Sequence, residues 1–462
     1  MTPFFPPDSS SLRLGQRLDL TVDDLDQEGR GVGRSAGQVI FVAGGLPGER
    51  LRVRLSHRAR RHWHGELEER LEASPQRRRP PCILADRCGG CTLQALEDDG
   101  QQHWKQRRVA ESLRRIADLE IPLRPLIAAP TGLGYRNRAV IPLERQEGRL
   151  RAGYYRRGSH QIVNLNHCPV LDPRLDRLIA PIKRDLEATP WPIDRHAGGE
   201  AGGLRHLALR VGHHSGEVLI TLIASQEHLP GLEGLAAEWH QRWPEVVGVC
   251  LNLQRQSGNR LLGAETRVIA GRGELREPFA GLELRIAADS FFQVHTTQAE
   301  RVVPLLREAL GAGSGRLLDA YCGIGTFSLP LAASGWQVLG IEQQASAVAL
   351  ARRNAEANGL TERAQFEEAA VGAVLAERLG GPAPLWSALF VDPPRKGLEP
   401  EALAALESLG PPLLLYLSCD PATLARDLAS LCRRGGYRGR WLQPLDFFPN
   451  TSHVETLAVL ER

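Results

Sequence analysis

Lysine is almost missing from this chain: of its 57 Lys and Arg residues, only Lys105, Lys183 and Lys396 are lysines. Genomic base composition alone can produce such a bias, so this scarcity excludes nothing. Other absences exclude more. The longest apolar run, Pro412 to Leu417, falls far short of the roughly 20 residues that span a bilayer, so no membrane partner is expected. The first residues, Met1 to Asp8, have no basic flank followed by an apolar stretch. No secretion signal is read there, and a cytoplasmic protein is expected. There is no internal repeat and no low-complexity tract, which removes solenoid and linker-like classes. Hydrophobic residues at 42% and charged residues at 24% are ordinary globular values and remove disordered and collagen-like chains.

At 462 residues the chain exceeds what one hydrophobic core usually serves, so two or three domains are expected. A net charge of +3 names no partner, but its distribution does. Residues 51–80 hold nine Arg against four Glu, and residues 131–160 hold seven Arg against two Glu. Arginine concentrated in this way suits a phosphate-binding surface, although a solvated basic face would read the same.

Residues 12–73 read as short β segments with Gly-rich turns. Arg17–Val22, Val39–Val42 and Arg50–Leu55 alternate, and Glu28-Gly-Arg-Gly-Val-Gly33 turns. Closely spaced strands of this length predict a small barrel. Pro75 to Pro81 reads as a linker. From 82 to 290 the pattern is mixed: a helix near Gln101–Ile116, then strand-like Leu204–Arg210, Val218–Ile223 and Val246–Leu253. In the last third, Arg316–Ala320, Gln337–Ile341, Ala388–Val391 and Leu413–Ser418 alternate with helical stretches such as Ala345–Asn358. That order predicts a mostly parallel sheet with helices on both faces.

The first of these late strands leads into Asp319-Ala-Tyr321-Cys-Gly323-Ile-Gly325-Thr326. Glycines let backbone approach a ligand, and the following helix offers free N–H groups. The next strand ends at Glu342, placed to hold a ribose diol. A nicotinamide site would ask for a third glycine, and position 328 is Ser. An adenosylmethionine site fits better than that, and an ordinary α/β turn is the plain alternative.

Two further segments, Asp392-Pro-Pro-Arg395 and Ser418-Cys419-Asp-Pro421, follow the third and fourth of the strand-like runs. Strand C-terminal ends in such a sheet share one crevice. The chain closes with Phe448-Pro-Asn-Thr451-Ser-His453-Val-Glu455, read as one arm of a terminal hairpin. A lone Cys is usually a small buried hydrophobe, and a lone Glu is usually a surface group. Together with a methyl donor, they suit methylation of uracil carbon 5. That carbon becomes nucleophilic only after a thiolate adds at carbon 6, and a base must then remove its proton.

Cys82, Cys88 and Cys91 lie close in sequence, and Cys168 follows later. The cytosol keeps thiols reduced, so no disulfide is expected. A metal cluster, tetrahedral zinc and unligated thiols all remain open on spacing alone. Cys250, Cys322 and Cys432 read as packing residues.

These segments resemble the RNA 5-methyluridine (uracil-C5) methyltransferase family. The matching stretches are Tyr416-Leu-Ser-Cys419-Asp-Pro-Ala-Thr423-Leu-Ala-Arg426-Asp427, Asp392-Pro-Pro-Arg395, the closing Phe448–Glu455 segment and Ser290-Phe-Phe-Gln293-Val. The resemblance implies Cys419 as nucleophile and Glu455 as base. It implies adenosylmethionine contacts from Gln293, Tyr321, Gly323, Gly325, Thr326, Glu342 and Asp392, with Phe291 near the target base. It also implies that Cys82, Cys88, Cys91 and Cys168 ligate a [4Fe-4S] cluster. With all four thiolates engaged, that cluster would be structural or RNA-contacting.

The N-terminal barrel resembles the TRAM domain, an OB-like RNA-binding module, and Tyr135-Arg-Asn-Arg138 matches a further family element. The departures are Asp420 where Asn is usual, His295 where Asn is common, and Glu367-Glu-Ala-Ala370, which lacks a usual polar residue.

The implied architecture is α/β: a TRAM barrel over 12–73, a mixed α+β central domain over 82–290, and a Rossmann-like methyltransferase domain over 291–462. The combination of TRAM and cluster is that of the bacterial 23S ribosomal RNA branch, with transfer RNA as the alternative substrate. RNA is the expected partner, with no DNA partner and a monomeric state. A radical methylthiotransferase would need Cys-x3-Cys-x2-Cys, and an amino-group methyltransferase would show Asn-Pro-Pro-Tyr; neither is present. A non-catalytic ribosome-assembly factor would have no need of Cys419 and Glu455.

Overall fold

The computed structural model describes residues 12–193, 203–256, 258, 260–311, 313, 315–380 and 386–462. The N-terminal octapeptide read above for a secretion signal lies outside the described residues. By compactness the chain forms two units. One contains the residues up to His103 with Tyr155–Ser159 and Asn450–Ser452, and the other contains the remainder.

In the first unit, strands β1 (Arg17–Leu25), β2 (Gly31–Ser35), β3 (Gln38–Val42), β4 (Arg50–Arg58) and β5 (His62–Glu72) close into a barrel in the order β1-β2-β3-β5-β4. The closure follows from alternation: Leu20, Val22, Ile40, Val42, Leu51, Val53, Leu55 and Trp63 all point inward and fill it. The arginines of β4 alternate outward and pair with acids across the strands, as Arg52 does with Asp19 and Glu69. Much of the first basic window is therefore neutralised locally.

Helix α1 (Asp98–Ser112), whose residues from Trp104 onward open the second unit, widens in its last turn into a π-helical turn over Leu113–Ala117, ended by Asp118 in a left-handed conformation. The expected helix ran on to Ile116, and the widened turn accounts for its final residues. Next come β6 (Arg138–Gln146), β7 (Arg149–Ala152), α2 (Pro173–Glu187), β8 (Leu204–Val211), β9 (Val218–Ala224), α3 (Leu232–Arg242), β10 (Val246–Leu253) and β11 (Glu265–Gly271). These six strands form one sheet in the order β11-β10-β9-β8-β6-β7, antiparallel except for the β9–β10 pair that α3 connects. A hairpin of β12 (Glu274–Phe279) and β13 (Leu282–Ala287) follows.

The last part contains α4 (Thr296–Leu310), β14 (Arg316–Ala320), α5 (Ser328–Ala333), β15 (Gln337–Glu342), α6 (Ala345–Ala357), β16 (Ala364–Glu368) and α7 (Val371–Gly380). It continues with β17 (Ala388–Val391), α8 (Pro400–Leu409), β18 (Leu413–Ser418), α9 (Pro421–Arg433), β19 (Arg438–Leu445) and β20 (Glu455–Glu461). Seven strands order as β16-β15-β14-β17-β18-β20-β19, parallel except for β20. Successive residues face opposite sides: Leu317, Phe390 and Leu415 pack with α4 to α6, while Leu318, Leu389 and Leu414 pack with α7 to α9. Burial on both faces explains the unbroken apolar runs. The edge strand β16, Ala-Gln-Phe-Glu-Glu, buries only alternate residues, so its polar sequence hid it. Asp392 and Cys419 consequently follow the fourth and fifth strands of the parallel order in sequence, one place later than read.

Candidate active site

Two adjacent loops at the C-terminal ends of β17 and β18 carry the reactive segments. The antiparallel register pairs Ser418 with Thr456. Cys419 follows the first of these and Glu455 precedes the second, so the thiol and the carboxyl are neighbours across β18 and β20. Asp420 caps α9, accepting from the N–H groups of Ala422 at 3.0 Å and Thr423 at 2.9 Å, with Pro421 opening the helix. Asp provides the same acceptor as Asn in that capping role, which accounts for the first departure.

Asp427, buried about two turns after Asp420, ties the two loops together. It accepts from the Tyr416 hydroxyl at 2.7 Å and from the Leu398 N–H at 2.9 Å. Arg426 donates to Asp427 and to the Lys396 carbonyl, each at a short distance. Gly397 has a φ of +79°, and any side chain there would strike Asp427.

The electrostatics of this pocket are acidic. Burial, and then the carboxyl of Glu455, push the Cys419 thiol up to about 12; Arg395 acts in the opposite sense. Burial and the nearby Asp392 push Glu455 well above the usual carboxylate range, with Arg395 again opposing. Burial lifts Asp392 to about 7. The Arg395 guanidinium lies 3.3 Å from His453 Nε2, and burial, followed by Arg395, lowers that imidazole to about 4. His453 is therefore neutral at pH 7. Both the thiol and the carboxyl are thus shifted toward their neutral forms, and Arg395 is the cation that opposes the shift at each.

The glycine loop adjoins these residues along the sheet. Tyr321, Gly323 and Gly325 have φ values of +71°, +56° and +84°, and only glycine takes such angles without strain. No atom lies within 4 Å of where a Gly323 side chain would begin, so the loop backbone is open on that side. Glu342 accepts from the Gly323 N–H at 3.2 Å and from the Gln344 N–H at 2.9 Å. Gln293 donates to Asp392 at 3.3 Å. Thr326 is buried, and the Tyr321 ring packs into the core near Glu399 and Asp427.

Asp319, under the loop, accepts from the Ser328 hydroxyl. Its other oxygen is buried with no partner, and burial raises this acid to about 8. An exposed loop backbone, an orphaned buried acid oxygen and three converging carboxyls fit a ligand that is cationic and rich in donors. Adenosylmethionine is such a ligand.

The segment carrying Glu455 is braced from within the same unit. Lys105 donates to Asp446 at 2.7 Å and to the Phe448 carbonyl at 2.9 Å. Tyr135 donates to the Pro449 carbonyl at 3.1 Å. His295 stacks on Tyr135 at 4.6 Å and bonds the Phe447 carbonyl at 3.1 Å. The second departure, His295, is thus a structural clamp that is neutral at pH 7, since burial lowers it to about 4. Asn137 donates to the Gln293 carbonyl and to Thr296, each at 2.9 Å, which gives the Tyr135–Arg138 element a positioning use. Sequence reasoning assigned no such role to Lys105, Asp319 or Asp427. Their partners lie far away in sequence or inside the core, and only the scarcity of lysine singles out Lys105.

Cys82, Cys88 and Cys91 share one loop in the first unit. The N–H of Leu84 points at the Cys82 sulfur and that of Gly90 at the Cys88 sulfur, each at 3.4 Å. Cys168 belongs to the second unit, and its N–H donates to Asp176 at 2.6 Å. Thiols that accept N–H donors suit a soft metal centre in chemistry. Among the described residues, however, no three His, Cys, Asp or Glu side chains are gathered so as to hold a metal ion.

Seven strands in this order, with the glycine loop after β14 and an acid ending β15, define an S-adenosylmethionine-dependent methyltransferase. Comparison with known proteins narrows the class. Residues 275–462 match the tRNA (uracil-5-)-methyltransferase family, and residues 12–67 match the TRAM domain. The chain is 51% identical to an uncharacterized RNA methyltransferase of Parasynechococcus marenigrum, covering 98% of this chain and 97% of that protein. It is 35% identical to another from Halalkalibacterium halodurans, covering 96% of each. The crystal structure of the Pyrococcus abyssi tRNA (uracil-54, C5)-methyltransferase with S-adenosyl-L-homocysteine superimposes with a TM-score of 0.75 at 27% identity, covering 96% of this chain and 99% of that one. The chain belongs to the family of S-adenosylmethionine-dependent RNA (uracil-5-)-methyltransferases. Among the described residues, no helix is long and apolar enough to cross a membrane.

Proposed function

We propose that the protein methylates carbon 5 of a specific uridine in 23S ribosomal RNA, with Cys419 as nucleophile and Glu455 as general base. The observation that carries this reading is the cross-strand adjacency of Cys419 and Glu455, with Asp392 acting on both.

The Cys419 thiol gives up its proton to solvent water, and its sulfur bonds to carbon 6 of the uracil. The electron pair of the 5,6 double bond moves toward carbon 5 and the carbon 4 oxygen. When bound, S-adenosylmethionine supplies a methyl group on a positively charged sulfonium. Asp392, Asp319 and Glu342 supply the negative surroundings such a charge needs, and Gln293 orients Asp392. Carbon 5 would take that methyl group as its bond to the sulfonium sulfur breaks, leaving a neutral thioether. Glu455 then removes the carbon 5 proton, the double bond re-forms, and the bond to Cys419 breaks. Burial and Asp392 raise Glu455, which works against the carboxylate form that a base needs. Arg395, which favours both thiolate and carboxylate, is the residue that assists. Exposed Phe291 is placed to meet a base flipped out of its stack.

Further readings belong to this proposal. Residues 12–73 grip RNA, 82–290 shape the cleft and 291–462 perform transfer. Tyr321, Gly323, Gly325, Thr326 and Glu342 also contact the methyl donor. The four cysteines Cys82, Cys88, Cys91 and Cys168 hold a [4Fe-4S] cluster of structural or RNA-contacting role, a reading supported by the thiol donors and their N–H partners. The protein is a cytoplasmic monomer. Transfer RNA is the second substrate reading, favoured by the Pyrococcus enzyme's substrate.

RNA containing 5-fluorouridine tests the mechanism, because fluorine on carbon 5 cannot leave as a proton. With labelled S-adenosylmethionine, a covalent protein–RNA complex should form with the wild type and vanish in Cys419→Ala. Failure of the wild type to form it would sink the mechanism. Mapping 5-methyluridine in ribosomal and transfer RNA from a deletion strain decides the substrate.

A further inference from the structure

The β6–β8 pair beside Gln293 contains charges that the mechanism does not use. Arg138 on β6 and Arg210 on β8 are direct cross-strand partners, so their side chains share one face of the six-stranded sheet. Arg210 is 5% exposed. One of its terminal nitrogens donates to the Ser290 carbonyl at 2.5 Å, while its Nε is buried with no partner at all. Arg136 lies near Arg138 and repels it. The one acid acting on both Arg138 and Arg210 is Asp289, and it accepts from the Thr266 hydroxyl at 3.0 Å.

Two other arginines of this unit are matched. Arg174 forks onto Asp172 with two bonds, and Arg205 donates to the carbonyls of Gln254 and Gln256. An unmatched guanidinium in a low-dielectric site is costly, and a fold gains nothing from it that an apolar side chain would not give better. Three guanidinium groups against one carboxylate leave this spot with excess positive charge and unused donors.

Its place in the chain points to what arrives. Ser290, which holds Arg210, immediately precedes Phe291, a ring 58% exposed. Asn137, between Arg136 and Arg138, holds the Gln293 carbonyl, and Gln293 reaches Asp392. The arginine pair thus backs the strip running from the base-facing ring to the methyl-donor site. We infer that Arg138 and Arg210 form a subsite for a backbone phosphodiester of the RNA, on a linkage flanking the target uridine. A phosphodiester has a full negative charge on two non-bridging oxygens, which suits paired planar forks of donors. A uracil carbonyl is neutral and would leave the excess charge in place. The inference rests on RNA being the substrate, as proposed above.

The test uses a labelled single-stranded ribo-oligonucleotide with one uridine, and copies in which one linkage at a time is an uncharged methylphosphonate. The readout is binding to the full chain, so it stands whether or not methyl transfer occurs. For the wild type, one flanking methylphosphonate should weaken binding about tenfold. In Arg210→Met the same replacement should cost nothing further, and the slope of log affinity against log salt should shrink by about 0.7. The Arg210→Met protein should melt no lower than the wild type, because it sheds an unmatched buried charge. Should it melt lower, the more accessible Arg138→Gln takes its place in the same scan. Equal losses in wild type and variant at the sensitive linkage, or no sensitive linkage beside the uridine, would overturn the subsite. Intact phosphate sensitivity with no methyl transfer to any RNA would count against the proposed function instead.

Discussion

Lys105 on α1 and Asp446 after β19 form a fully buried ion pair at 2.7 Å, joining positions 341 residues apart. The same ammonium holds the Phe448 carbonyl, at the start of the stretch that leads to Glu455. Lys105→Met should therefore strand the Asp446 carboxylate and destabilise the fold by about 3–5 kcal/mol. Adding Asp446→Leu should recover much of that loss. Chemical denaturation of the two variants measures it, and a single variant as stable as wild type would show the pair to be dispensable.

Glu455→Gln should keep the fold and the nucleophile but lose the base. Turnover should drop by roughly 10²–10⁴-fold, while methylated RNA stays attached to Cys419. Denaturing gels with ordinary uridine RNA detect that complex. Free methylated product at the wild-type rate would remove Glu455 from the role.

Acidity in the pocket predicts a pH dependence of stability. Asp392 and Asp319 titrate near 7 and 8 in the fold, against about 3.9 in an unfolded chain. Their pKa values are raised by folding, so their stabilising contribution is complete below about pH 4 and is lost as pH rises through 7 and 8. Thermal melts of the ligand-free protein should fall across that window.

The same acids predict how the methyl donor binds. A bound cation favours the ionised acids, so affinity for S-adenosylmethionine should rise from about pH 6 to 8. Affinity for S-adenosylhomocysteine, whose sulfur is uncharged, should rise less. Calorimetry of both ligands at the two ends of the range checks this; equal dependence would place the sulfonium away from these acids.

Cluster occupancy is settled by colour and metal content. Protein prepared without oxygen should be brown and contain about four irons and four sulfides per chain, and Cys88→Ser should lose both. Colourless wild-type protein without iron would leave these cysteines as ordinary thiols.

Much of the fold was legible because its signals are local. Alternation in Arg17–Val22 and Arg50–Leu55 announced the barrel strands, and the unbroken apolar runs at Ala388–Val391 and Leu413–Ser418 announced central strands buried on both faces. The edge strand Ala364–Glu368 escaped notice because only half its residues are buried, so its sequence looks like loop. Asp420 looked like a departure from the motif until its capping bonds to Ala422 and Thr423 showed that the position asks only for an acceptor.

By itself the sequence determined which chemical groups are available: one thiol and one carboxyl in ordered motifs, a glycine loop with an acid after the next strand, and arginine-rich windows. Only the tertiary structure decided their condition. It set Cys419 beside Glu455 across two strands, gathered Asp319 and Asp392 into the same acidic field, and left Arg210 with an unmatched buried nitrogen. The physical reason is that burial and proximity set protonation and partner number. Both depend on residues brought together from distant parts of the chain, which no local pattern records.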